Sequence, residues 1–157
     1  MTDTVNIGLE PEARQQTADA LAKVLADTYT LYIKVQGFHW NVTGPQFNAL
    51  HNMFEEQYID LRDAADEIAE RMRALGAACP GSFAQLLELT AIKEQTEIPS
   101  GTAMVKELLA DHETVSRTAK AALQTAEQAG DDASGDMMVQ RMQVHDKTAW
   151  MLRSMVA

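Results

Sequence analysis

The chain has 157 residues, 46% hydrophobic but only 6% aromatic, and a formal net charge of −10. That length supports one domain with a substantial core, and that charge excludes a chain built for non-specific attraction to nucleic acid or anionic lipid. Cys79 is the only cysteine, so no intrachain disulfide can form, as suits a reducing cytosol.

Residues 1–11 are expected to form a short N-terminal tail, and it lacks the basic region and apolar run of a signal peptide. Pro11 suits the first turn of a helix. Leu21, Leu25, Tyr32 and Val35 give that helix an apolar face and predict a first helix from there to about His39. Asn41-Val-Thr-Gly-Pro45 reads as a turn. A second helix over about 46–75 is the most regular element. Phe47, Leu50, Phe54, Tyr58, Leu61, Ala65, Ile68, Met72 and Leu75 recur at steps of three and four along it. Gly76 ends it.

Residues 76–101 form a long connection punctuated by glycine and proline. Within it Ser82 can cap a short helix carrying Phe83, Leu86, Leu87 and Leu89. A third long helix is expected over about 102–129, with Val105, Leu108, His112, Val115, Ala119, Ala122 and Ala126 on one side. Gly130 breaks it. A fourth runs from about Asp132 to Ser154, with Met138, Met142, Ala149 and Leu152 facing inward. His112 and His145 fall on inner faces and read as satisfied core residues, and Trp150 also reads as core. No stretch is apolar enough to span a bilayer. The prediction is an all-α fold, a ferritin-like four-helix bundle over 12–157 with a short extra helix between the second and third long helices.

The second helix carries the chemistry. His51 and Glu55, then Asp66 and Glu70, are pairs of metal-capable side chains at i and i+4, so each pair shares a helix face. The pairs start fifteen residues apart, roughly 22 Å along a helix. One copy cannot gather all four groups around one ion. Two antiparallel copies, related by a twofold axis near residues 60 and 61, can. Imidazole with several carboxylates suits iron, manganese or zinc better than calcium or magnesium. The competing reading is ordinary solvated acids paired with Arg62, Arg71 or Arg73. Neither Glu-x-x-His nor His-Glu-x-x-His occurs, so a one-chain di-iron bundle site and a zinc-protease site are both unsupported. Cys79, with no nearby histidine, is not read as a nucleophile.

His39-Trp-Asn-Val-x-Gly-x-x-Phe-x-x-Leu-His51-x-x-Phe-Glu55, followed by Asp66-x-x-Ala-Glu70-Arg, resembles the signature of the Dps proteins, or mini-ferritins. Gly130-Asp131, His145, Trp150, Met151 and Leu152 extend the similarity over about residues 12–155. The resemblance implies a cytoplasmic homododecamer built from twofold dimers. It implies an oxidoreductase acting on metal ions, a ferroxidase that oxidises Fe(II) with hydrogen peroxide and stores the ferric product. Carried over by position, His39, His51 and Glu55 of one subunit and Asp66 and Glu70 of its partner hold up to two iron ions. Glu55 departs from the aspartate often found there. The family also implies a threefold iron-entry pore, matched here by Glu127, Asp132 and Asp136. Asp131 or Asp132 can equally cap the fourth helix. The alternative function is a nucleoid-associated, DNA-compacting protein. This chain weakens it, because residues 1–16 hold Arg14 against Asp3, Glu10 and Glu12, and no basic tail follows Arg153.

Overall fold

The computed structural model describes residues 4–157, so the first three residues of the expected tail, Asp3 among them, lie outside the described residues. Five helices and, among the described residues, no strand are formed: α1 (Pro11–Asn41), α2 (Phe47–Ala74), α3 (Phe83–Leu89), α4 (Gly101–Ala129) and α5 (Asp132–Met155). Their ends follow from local chemistry. Pro11 opens α1, with Glu12 in the first turn facing the helix dipole. Ser82, Ser100 and Asp131 cap α3, α4 and α5 by accepting from the backbone N–H three residues on. Gly130, at φ 71°, takes the left-handed conformation that ends α4. α1 runs two residues past His39, held by Val42 N–H on Phe38 O and by the Asn41 amide on Gly37 O.

α1 packs on α2, α4 on α5, and α1 also on α4, with the short α3 against α1. Gly101 lies beside Leu50, Val42 and Thr43, near the start of α2, whereas the connection leaves from Leu75 at its end. The connection therefore travels the length of the bundle, and α2 and α4 run parallel. Asp27, fully buried on α1, fastens it. One carboxylate oxygen accepts from Thr90 Oγ1 at 2.8 Å and Ala91 N at 2.7 Å, the other from Thr118 Oγ1 at 2.7 Å. Lys34 adds an ion pair to Asp111 at 2.7 Å and donates to Lys93 O at 3.1 Å.

One apolar cluster joins Leu21, Leu25, Ile68, Met72 and Met138, and another joins Leu31, Phe38, Phe54, Leu61, Leu108 and Leu152. A polar chain crosses the bundle between α2, α4 and α5. Arg141 holds Asp60 through two hydrogen bonds of 3.2 and 2.8 Å and donates to His145 Nε2 at 3.1 Å. A guanidinium only donates, so His145 carries its proton on Nδ1 and gives it to His112 Nδ1 at 2.9 Å. His112 in turn donates from Nε2 to Gln57 Oε1 at 3.1 Å. Both histidines are buried and satisfied, as the sequence indicates. Two expectations fail. Trp150 is 61% exposed, and Phe47 is 45% exposed because it lies in the first turn of α2, at the edge of the bundle.

Candidate metal centre

The turn between α1 and α2 reverses the chain within a few residues, with Gly44 at φ 107°, where a side chain is strained. It brings His39, in the last turn of α1, against His51, in the second turn of α2. The rings stack at 3.8 Å with an interplanar angle of 17°. Their hydrogen bonds are reciprocal. His39 Nδ1 donates to His51 O at 2.7 Å, and His51 Nδ1 donates to His39 O at 2.8 Å. A carbonyl oxygen can only accept, so both imidazoles hold a proton on Nδ1. In the neutral ring Nε2 then keeps its lone pair, the arrangement a metal ligand requires.

Aromatic neighbours close the stack at both ends. Phe47 lies over His51 at 5.1 Å, and the Tyr58 ring presents an edge to His39 at 5.1 Å and 72°. Exposed Phe47 thus has a role at this site. Glu55 is exposed one turn beyond His51, and its carboxylate accepts from the Tyr58 hydroxyl at 3.5 Å.

Asp66 and Glu70 lie farther along α2 and are exposed. The arginines that could have neutralised these acids are engaged elsewhere. Arg62 pairs with Asp63 at 3.0 Å, Arg71 with Asp131 at 2.7 Å, and Arg73 donates to Ala77 O at 2.7 Å. The reading of ordinary arginine-paired acids therefore does not describe Glu55, Asp66 or Glu70. Among the described residues, no three His, Cys, Asp or Glu side chains of one chain form a metal-holding group. Each chain carries two imidazoles and Glu55 where the end of α1 meets the start of α2, and the carboxylates of Asp66 and Glu70 farther along α2.

Asp66 opens onto a groove of about 980 Å³ shared with Leu25, Tyr29, Phe83 and Leu86. A neighbouring groove of about 550 Å³ holds Ile33, Trp40, Leu87 and Ile98, all exposed, together with Phe83. Asp66, and Trp40 next to His39, thus lie beside exposed apolar surface.

The acids near Gly130 divide. Asp131 is buried, caps α5 and pairs with Arg71, so it is structural. Glu127, Asp132 and Asp136 are exposed, and Asp136 accepts from Gln140 Nε2 at 2.7 Å. Arg14, the one basic residue among the first sixteen, is 1% exposed and donates to Leu75 O at 3.0 Å. Cys79 donates to Ala69 O, and burial pushes its thiol pKa up, which disfavours the nucleophilic thiolate. The reciprocal carbonyl bonds have no signature in the sequence, and the Tyr58 hydroxyl has a faint one. Only the i,i+3 spacing of Glu55 and Tyr58 hinted at their contact.

A ferritin-like domain family matches residues 18–157. An uncharacterized low temperature-induced protein of Nostoc sp. is 40% identical over 154 residues, covering 97% of this chain and 86% of the relative. DNA protection during starvation protein 2 of Bacillus anthracis is 34% identical over 140 residues, covering 89% and 96%. The crystal structure of a Dps protein from Vibrio cholerae O1, described as a member of a broad superfamily of ferritin-like diiron-carboxylate proteins, superposes with a TM-score of 0.94 at 31% identity, over 100% of this chain and 99% of that one.

Proposed function

This chain belongs to the Dps family of ferritin-like proteins, the iron-storing mini-ferritins, and on that premise we propose that it is a ferroxidase working at sites shared between two subunits. It oxidises Fe(II) with hydrogen peroxide and stores the ferric product inside a shell of twelve copies. The observation that carries this reading is the pair of stacked imidazoles, each with Nδ1 tied to a carbonyl and Nε2 free. Glu55, Asp66 and Glu70, none of them paired with an arginine, complete a donor set of imidazole and carboxylate, which fits iron.

In a twofold dimer, His39, His51 and Glu55 meet Asp66 and Glu70 of the partner subunit, and the five groups bind up to two ions. The exposed apolar residues Ile33, Phe83, Leu87 and Ile98 beside the half-sites supply a surface for that association. Two Fe(II) ions give one electron each, peroxide takes both, and with two protons it leaves as two waters. The residues' task is to hold both metals at one place, so that peroxide is reduced by two electrons without releasing a hydroxyl radical. Glu127, Asp132 and Asp136 attract Fe(II) at a threefold pore.

The relative's name in Bacillus anthracis speaks of DNA protection. Here the buried Arg14 and the net charge of −10 argue against a DNA-compacting role. The direct test of the shared site is a subunit-locked heterodimer of His51→Ala with Glu70→Ala chains. It contains one doubly damaged site and one intact site, and stopped-flow Fe(II) oxidation should give about half the wild-type activity. Activity no higher than that of either single-variant homodimer would show that the site is not shared.

A further inference from the structure

Glu55 stands where the family signature often has aspartate, and the structure pairs that longer side chain with a particular neighbour. We propose that Tyr58 is a positioning residue for Glu55, its phenol holding one carboxylate oxygen so that the other is presented to the metal. This rests on the metal-centre reading above.

Three observations point to it. The Tyr58 hydroxyl donates to Glu55 Oε1 at 3.5 Å, from three residues along the same helix face. Tyr58 is anchored. Its ring meets His39 edge-on at 5.1 Å and Tyr32 of α1 at 6.2 Å, so it touches the imidazole half of the centre while its hydroxyl reaches the carboxylate. Glu55 is exposed, with no other polar partner among the described residues. Without the phenol its side chain is free to sweep through solvent, and ordering it on a metal costs entropy.

Chain length makes the contact specific. Aspartate at this position ends one methylene, about 1.5 Å, sooner. The gap to the phenol then widens to about 5 Å, beyond any direct hydrogen bond. The contact at 3.5 Å is at the long end for a hydrogen bond, so even this small shortening of the side chain breaks it. Tyr58 therefore acts on a glutamate at position 55 and does not act on an aspartate. Oε1 faces the phenol, and Oε2 is left as a one-oxygen metal ligand. Hydrogen-bonded partners behind first ligands commonly set ligand orientation and metal affinity.

The test is a double-mutant cycle on the assembled protein, with Co(II) as the probe, read by calorimetric titration and by the visible spectrum of the bound ion. Tyr58→Phe keeps the ring against His39 and removes only the hydroxyl. It should weaken Co(II) binding about tenfold and alter the spectrum. In the Glu55→Asp background the same change should alter neither affinity nor spectrum. Wild-type affinity in Tyr58→Phe overturns the proposal, and so does an equal loss in both backgrounds, which would assign the effect to His39 packing. His51→Ala separates this failure from failure of the site itself. If His51→Ala binds Co(II) as the wild type does, the metal-centre reading falls and Tyr58 with it. If His51→Ala abolishes binding while Tyr58→Phe is silent, only the Tyr58 role falls.

Discussion

Acidification should destabilise this bundle through two buried histidines, on α4 and α5, that are not among the proposed metal ligands. His112 and His145 use all four ring nitrogens: two donate and two accept. A proton added to His145 Nε2 must expel Arg141, and one added to His112 Nδ1 sets two N–H groups against each other. Burial is the first cause of the low proton affinity. Burial first and then Arg141, with Asp60 opposing, bring His112 down to about 3. His145 is also pushed well below the usual histidine range, first by burial, then by His112 and Arg141. In the unfolded chain both titrate near 6.5. The stability these neutral rings contribute is therefore complete above pH 6.5 and is lost as the pH falls from there toward the folded-state values. The loss is about 1.4 kcal/mol per pH unit for each histidine, so about 2 kcal/mol each and about 4 kcal/mol together between pH 6.5 and 5. The assay is urea unfolding at several pH values and one fixed protein concentration, since association also contributes to stability. A His112→Gln, His145→Gln double variant should show a pH slope smaller by that amount. An unchanged slope would refute the argument, even if the variant were less stable at pH 7.

The assembled protein should not retard duplex DNA in a gel shift at neutral pH and physiological salt, because its one basic residue near the N-terminus is buried under Leu75. Salt-resistant retention would instead reveal a basic patch formed only on assembly. Asp136→Asn should slow iron uptake in stopped-flow oxidation, most clearly at low ionic strength, while equilibrium metal binding at the centre is unchanged. Equal uptake rates at low salt would leave Asp136 as a solvated residue bonded to Gln140.

The helices were legible because the sequence punctuates them. Pro11, Gly76, Ser82, Gly130 and Asp131 act on the backbone within a turn of where they stand, so local chemistry sets each boundary. Periodicity also found the buried faces of α2 and α4. What it missed depends on distant partners. Asp27 is fully buried because Thr90, Ala91 and Thr118 converge on it from 63 to 91 residues away. Arg71 was one of the arginines available to the acids of α2, yet it pairs with Asp131, sixty residues on, because α5 begins beside the end of α2. Trp150 fits the inner stripe of its helix by composition, but that stripe is narrow, and the ring projects past its edge. The metal-capable residues were recognisable by type and spacing. The carbonyl bonds that fix the two imidazole tautomers were not, because they are a property of the turn around Gly44.

The two proposed half-sites differ in how much order each already has. His39 and His51 are locked by stacking and by backbone carbonyls before any metal arrives, so little further freedom is lost when they bind one. Asp66 and Glu70 are exposed like charges at i and i+4, which water tolerates at little cost. Burying that acidic pair against a second copy raises the cost, unless a cation lies between. On the proposed arrangement, metal and partner therefore help each other. The metal removes the repulsion that opposes association, and association supplies the carboxylates that the imidazole half lacks. By linkage the two effects must be equal in free energy. The carboxylates left without arginines are then a cost that appears on association, and the metal centre is where that cost is relieved.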